Sequence, residues 1–183
     1  MNWLLFYTFN FVLYSLFGWL LEEVYSYFAF GYFKEEGFLN VPFKPMYGIA
    51  MCILIMFYYK FEVGTITLLI LCIIVPTLVE YLSGYMLKNI FNEVYWSYKN
   101  LRYNFQGLIC LKFSIYWTII SFFTVRFLQM YINKIYNKYS VVSNLIAVLL
   151  AIFIILDFGD ICIDNIRNGV HGEVKNYTCT KIK

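Results

Sequence analysis

The sequence predicts an all-α integral membrane protein, a bundle of about five transmembrane helices with its polar connections on one, cytoplasmic, side. Two observations predict it. The first is composition: 62% of the 183 residues are hydrophobic, 14% are charged and mean hydropathy is +0.67, against about 45–50% apolar and about 25% charged in soluble domains. A globule of this size cannot hide so much apolar side chain from water. A soluble monomer is excluded, as are disordered, collagen-like and disulfide-scaffold chains. The second is run length: apolar stretches approaching the roughly 20 residues a helix needs to cross a bilayer recur along the chain, separated by turns or polar connections.

The spans are expected at 3–27, 43–59, 65–86, 108–135 and 141–163, within a single membrane domain 1–168 followed by a short polar tail, 169–183. The first is apolar from Trp3 and stops at Gly31. The second is short unless Phe43 to Met46 extend it. The third carries Pro76, which a bilayer helix tolerates when neighbours satisfy the freed carbonyl. The fourth exceeds a simple span, so it tilts or protrudes. The links at 60–64 and 136–140 are turns, whereas 32–46, 88–107 and the tail hold most of the polar residues. No basic residue precedes the first apolar run and no small-residue cleavage site follows it, so this helix is expected to stay in the mature protein.

Orientation follows from Lys and Arg, which favour the cytoplasmic side. With the N-terminus outside, only Lys60, Arg126, Lys134 and Lys138 of the fourteen face outward, and the C-terminus is cytoplasmic. A net charge of +3, scattered along the chain, gives no reason to expect nucleic acid. The five cysteines form no CxxC pair, and four sit in or beside apolar segments as small hydrophobes. Neither a metal nor a cofactor is expected.

Acidic side chains inside a span cost at least about 2.5–3.5 kcal/mol at its centre, so they are informative. Glu22 and Glu23 lie near the inner end of the first helix; Glu80 lies one turn after Pro76, beside Ser83 and Gly84. Asp157, Asp160 and Asp164 share one face of the fifth. Lys112 and Ser114 open the fourth helix on the same side. All converge on a polar cavity open to one face. Glu23, Asp160 and Asp164 also suit solvated helix ends, and Glu80 or Asp157 would also suit a buried ion pair with Lys112 or Arg102. Cys110, Ser114, Trp117 and Ser121 read more simply as close helix packing. In GFLNVPFKPMYG (37–48), Pro42 and Pro45 flank Lys44, and two prolines with two glycines form a shaped loop capping the second helix. VYWSYKNLRYNFQG (94–107) suits either an interfacial amphipathic helix or a lid. Walker A, HExxH and GxSxG sequences are absent. The single histidine, His171, sits in the tail, as does the sequon at Asn176, which on the inner side is a chance match.

FGWLLEEVY (17–25), GFLNVPFKPMYG (37–48), VEYLSG (79–84), YWSY (95–98) and NFQGLICLKFSIYW (104–117) occur in this order. Together they resemble the CmpB-type family of small bacterial membrane proteins, described as ABC-transporter permeases, over about residues 10–165. The family pattern corresponds to Gly18, Trp19, Glu22, Pro42, Pro45, Tyr47, Gly48, Glu80, Tyr81, Gly84, Trp96, Tyr98, Asn104, Gly107, Cys110, Leu111, Ser114, Trp117 and Asp157. Ser97 and Leu108 depart from it, where the family often has Asp and Arg. The resemblance implies a permease subunit that takes its energy from a separate ATPase subunit. Glu22, Glu80, Asp157, Lys112, Asn104 and Ser114 are the candidate substrate-binding residues for a cationic or proton-coupled substrate. Pro42, Pro45, Tyr47 and Gly48 form the candidate gate. Two alternatives stay open: a membrane enzyme acting on a lipid or isoprenoid headgroup, and a non-catalytic assembly subunit. Membrane lipids are expected partners under all three, and a second copy of the chain is compatible with each.

Overall fold

The computed structural model describes residues 2–33, 37–168 and 175–176. The predicted tail, with His171 and most of the sequon, lies outside these residues except for 175–176. α1 (Trp3–Phe30) is capped by Asn2, whose Oδ1 accepts from the Leu4 amide, and ends at Gly31 in the left-handed conformation. α2 (Pro45–Ile55) opens on proline, whose missing N–H costs nothing there, and runs into a wide π-type turn, Met56–Lys60. α3 (Thr65–Ile90) contains Pro76. α4 (Leu111–Phe123) continues through a second π-type turn into α5 (Gln129–Lys138), and α6 spans Ser140–Asn168. Four rods are long and apolar enough to cross a membrane: α1, α3, α4–α5 and α6. Their outer faces carry half-exposed Ile70, Ile73, Ile74, Leu149 and Leu156, as lipid contact requires.

The second predicted span is different. Its 11 residues of α2 and 5 of wide turn reach about 24 Å at 1.5 Å per residue, short of the roughly 30 Å hydrocarbon core. Its partners on α1 run backwards. The Lys44 amide donates to the Ser15 carbonyl (3.0 Å), the Cys52 thiol to the Tyr7 carbonyl (3.4 Å), and the Lys60 ammonium lies over the Trp3 ring (5.9 Å). α2 is therefore antiparallel to α1 and begins at α1's midpoint. At Gly48 the two helices touch so closely that a Cβ would stand 2.5 Å from the Phe11 carbonyl oxygen.

The stretch 37–44 consequently climbs back into the bundle before α2 completes the crossing. Leu39 and Phe43 are buried with Val12 of α1 and Ile154 of α6. Irregular backbone at this depth survives because protein, not lipid, surrounds it. The main core lies beside α2, where Leu54, Ile55, Leu68, Cys72 and Val125 are fully buried.

The connection after α3 forms no interfacial helix. It holds β1 (Glu93–Val94), paired in parallel with β4 (Lys175–Asn176), and the antiparallel pair β2 (Asn104–Phe105) and β3 (Ile109–Cys110). Left-handed φ values at Asn92, Tyr103, Gln106 and Gly107 bend the chain too often for helix. Asn104 holds this loop: its Nδ2 donates to the Leu101 carbonyl (2.7 Å) and its Oδ1 accepts from the Gly107 amide (3.1 Å). At the opposite end of the bundle Tyr136 of α5 packs on Phe6 and Phe9 and donates to Asn144 of α6. α6 thus starts where α1 starts and runs alongside it.

Candidate functional site

Because α2 begins at mid-depth, the space below its first turn belongs to side chains and two inserted loops. A cavity of about 780 Å³ occupies it, walled by α1, α3, α4 and the segments 37–47 and 95–101. That volume lies within the range of small-molecule sites.

Two carboxylates meet there. Glu22 is one turn beyond Gly18 on α1. Gly18 is needed because the Tyr47 ring lies directly on it, and a Cβ would stand 2.1 Å from Tyr47 Cδ2. Seated so, Tyr47 donates its hydroxyl to Glu22 Oε1 (2.5 Å), while Lys44 at the head of α2 forms an ion pair with Oε2. Lys44 and Pro45 thus tie the inserted loop to α1.

Glu80, on α3, is 3% exposed. Its Oε1 accepts from the Tyr98 hydroxyl (2.8 Å) and from Trp117 Nε1 (3.4 Å). Its Oε2 is buried, and nothing among the described residues bonds it. Tyr98 is fixed by stacking on Phe113 (4.9 Å, 22°) and by its own amide, which donates to the Gly107 carbonyl (2.8 Å). Burial first, and the nearby Glu80 carboxylate second, hold the Tyr98 hydroxyl well above its ordinary pKa, so it stays a donor. The Tyr47 and Trp117 rings, 5.2 Å apart, join the two clusters.

The other predicted residues take different places. Asp157 does not line the cavity. Its two oxygens accept from the Asn40 amide (2.9 Å) and Asn40 Nδ2 (3.0 Å), fastening the inserted loop to α6. Asn104 holds the 95–110 loop from behind. Ser114 gives its carbonyl to Thr118 and does not reach the cavity. Lys112 is exposed, over the Phe113 and Tyr116 rings (5.9 and 6.0 Å), and Arg102 is exposed over Tyr103 (5.2 Å). Neither pairs with Glu80 or Asp157, whose partners are neutral. Pro42 lies within the inserted loop. Ser97 and Leu108, the two departures from the family pattern, sit on facing arms of one loop: Tyr98 bonds Gly107, and Trp96 Nε1 donates to the Leu108 carbonyl (2.9 Å).

A second polar cluster, between α1 and α5, escaped the sequence reading. Tyr14 donates to Gln129 Oε1 (2.5 Å), and Gln129 Nε2 donates to Asn10 Oδ1 (2.8 Å) and Asn133 Oδ1 (2.9 Å). The available signal was Asn10 inside an apolar run and Gln129 in the fourth segment. Gln129, Asn10 and Tyr14 bond one another, so the cluster reads as glue between helices. Among the described residues no three His, Cys, Asp or Glu side chains gather into a metal-binding group.

No curated protein and no solved structure matches the chain. A family profile described as "Putative ABC-transporter type IV" matches residues 9–160, a stretch that contains both carboxylates, the inserted loop, Tyr98 and Trp117. The chain is a membrane protein and belongs to this CmpB family of ABC-transporter type.

Proposed function

We propose that the chain is the membrane-embedded permease subunit of a transporter and that its substrate rests in the cavity between Glu22 and Glu80. One observation carries the reading: a carboxylate buried in a span, with an oxygen left unbonded, on the wall of a cavity of ligand size. Burying such a group is costly unless something else compensates it, and a bound substrate is that compensation. Glu22, Tyr47 and Lys44 form the hinge of the inserted loop. Exchange of the Lys44 ion pair for a contact with substrate would free residues 37–44 to move and open the cavity. The chain contains no Walker A sequence, so hydrolysis of ATP falls to a separate subunit. The excess of Lys and Arg on the cavity side supports an N-out, C-in orientation with the cavity facing the cytoplasm.

The test is a pull-down of tagged protein in mild detergent, followed by co-reconstitution of the recovered ATPase and a screen of labelled solutes for ATP-dependent flux. Glu80→Gln should abolish flux while leaving expression and complex formation intact. Full flux in that variant would remove the site. Loss of the complex with it would favour an assembly subunit. Orientation is read separately: a cysteine at Glu62 should react with an impermeant maleimide in intact cells, and one at Lys99 should not.

A further inference from the structure

We infer that the ligand of this cavity is an amphipathic organic cation, an amine or quaternary ammonium on an apolar body, that reaches it sideways from the bilayer between α1 and α4; the inference rests on the reading of the cavity as the substrate site. Charge sets the sign of the ligand. Of the two carboxylates, Glu22 already has Lys44, whereas Glu80 meets only the neutral donors Tyr98 and Trp117 and keeps Oε2 without a partner. The other cation on the wall, Lys99, is exposed. The site therefore lacks one positive charge at its buried end.

The walls set the body of the ligand. Tyr47, Trp96, Tyr98 and Trp117 line the same cavity as Glu80, and ring faces attract desolvated cations, tryptophan most strongly. A small hydrated ion would gain nothing from such walls, and an anion would face their negative π-clouds.

The path follows from packing. α1 packs along α2 and α6, and α4 packs along α3. α1 and α4 meet through the Tyr25–Phe113 ring pair (6.0 Å). Above that pair Leu21 of α1 and Ile119 and Ile120 of α4 line the cavity and each keeps more than a third of its surface open. Apolar lining residues this open, on two helices that each pack along other neighbours, leave the cavity accessible from the bilayer on the α1–α4 side.

The probes are tetraphenylphosphonium and tetraphenylborate, ions of nearly equal size and opposite charge, titrated onto purified protein in lipid nanodiscs, with empty nanodiscs subtracted. Saturable binding is expected for the phosphonium alone, weakened by about tenfold or more in Glu80→Gln. The comparison of the two ions needs no variant, so it stands even if Glu80→Gln misfolds. Equal binding of both ions, or none of the phosphonium, would overturn the ligand class. Ile120→Trp, at the lip on α4, should slow association by about tenfold or more, since on-rates among variants of one site vary over about one to three decades. An unchanged rate would overturn the bilayer route. Failures separate cleanly. Phosphonium binding without ATP-driven flux of any solute would overturn the permease reading and leave the ligand class standing. Flux that depends on Glu80, with no phosphonium binding, would do the reverse.

Discussion

Tyr98→Phe tests whether Glu80 is held as a charged acceptor. The substitution removes one oxygen and keeps the ring, so the Phe113 stack (4.9 Å, 22°) survives and no cavity opens. What is lost is the 2.8 Å bond to Glu80 Oε1, leaving Trp117 at 3.4 Å as the remaining donor. A hydrogen bond to a charged group contributes about 1.5–3 kcal/mol and one between neutral groups about 0.5–1.5 kcal/mol. Tyr98 is 8% exposed, so water cannot replace the lost donor. The expected destabilisation is about 2 kcal/mol, measured by equilibrium unfolding in mixed detergent–lipid micelles. The same substitution in a Glu80→Gln background completes the cycle. A coupling near 2 kcal/mol reports a carboxylate, and one near 1 kcal/mol reports a neutral carboxyl. A coupling indistinguishable from zero would refute the claim that the Tyr98 hydroxyl bonds Glu80.

The raised pKa of Tyr98 gives that contribution a pH dependence. A group whose folded-state value lies above its unfolded 10.0 stabilises fully below pH 10 and loses its contribution as pH rises through the folded value. The stability gap between wild type and Tyr98→Phe should therefore be at its full size at about pH 9 to 10 and shrink above; a gap that already falls as pH rises towards about 9 would contradict it. Gly18→Ala should cost about 1–3 kcal/mol through overpacking on Tyr47. Most of that cost should vanish when Tyr47 is also Ala, and thermal melts of the four variants decide it. Asp157→Ala removes both bonds to Asn40, so a cysteine at buried Leu39 should react with maleimide about tenfold faster than in the wild-type background, since local opening of a loop held by few bonds sets that rate; equal rates would show that the loop is held elsewhere. Gln129→Leu strands the Tyr14 hydroxyl and Asn10 in the core, which should lower stability by about 1–3 kcal/mol with ligand binding in the cavity unchanged. A loss of binding there would mean that the two polar clusters communicate.

The helices were legible because run length against bilayer thickness is a strong constraint: all five apolar stretches are helical and run one to five residues past their predicted C-terminal ends, while the second and fourth begin two to three residues later than predicted and the second stays too short to span. The carboxylates were legible because charge in a span is rare. Their partners were not. Lys112 lies near Glu80 in a list of helix ends, yet side-chain direction points it outward. The donor that does meet Glu80 comes from a loop whose fold depends on four left-handed residues. Asp157 shares a helix face with Asp160 and Asp164, but only the path of 37–44 turns it from a site residue into an anchor.

The same path accounts for the cavity. A second rod of full length would have filled the space between α1, α3 and α4 with side chains, as α2 fills the other half with Leu54 and Ile55. Pro45 fixes where α2 starts, because the residue before a proline is biased away from helix, and Lys44 sits there in extended conformation (φ −120°, ψ 91°). Pro42, three residues earlier, limits helix on the preceding stretch in the same way. The pair of prolines thus leaves irregular chain at membrane depth, which is tolerated only against protein or a polar cavity. Moving the helix start outward, by replacing Pro42 and Pro45 with alanine, should let α2 grow into the void. Phosphonium binding should then fall while stability rises, and a variant that gained helix but kept its binding would show that the cavity does not depend on where α2 begins.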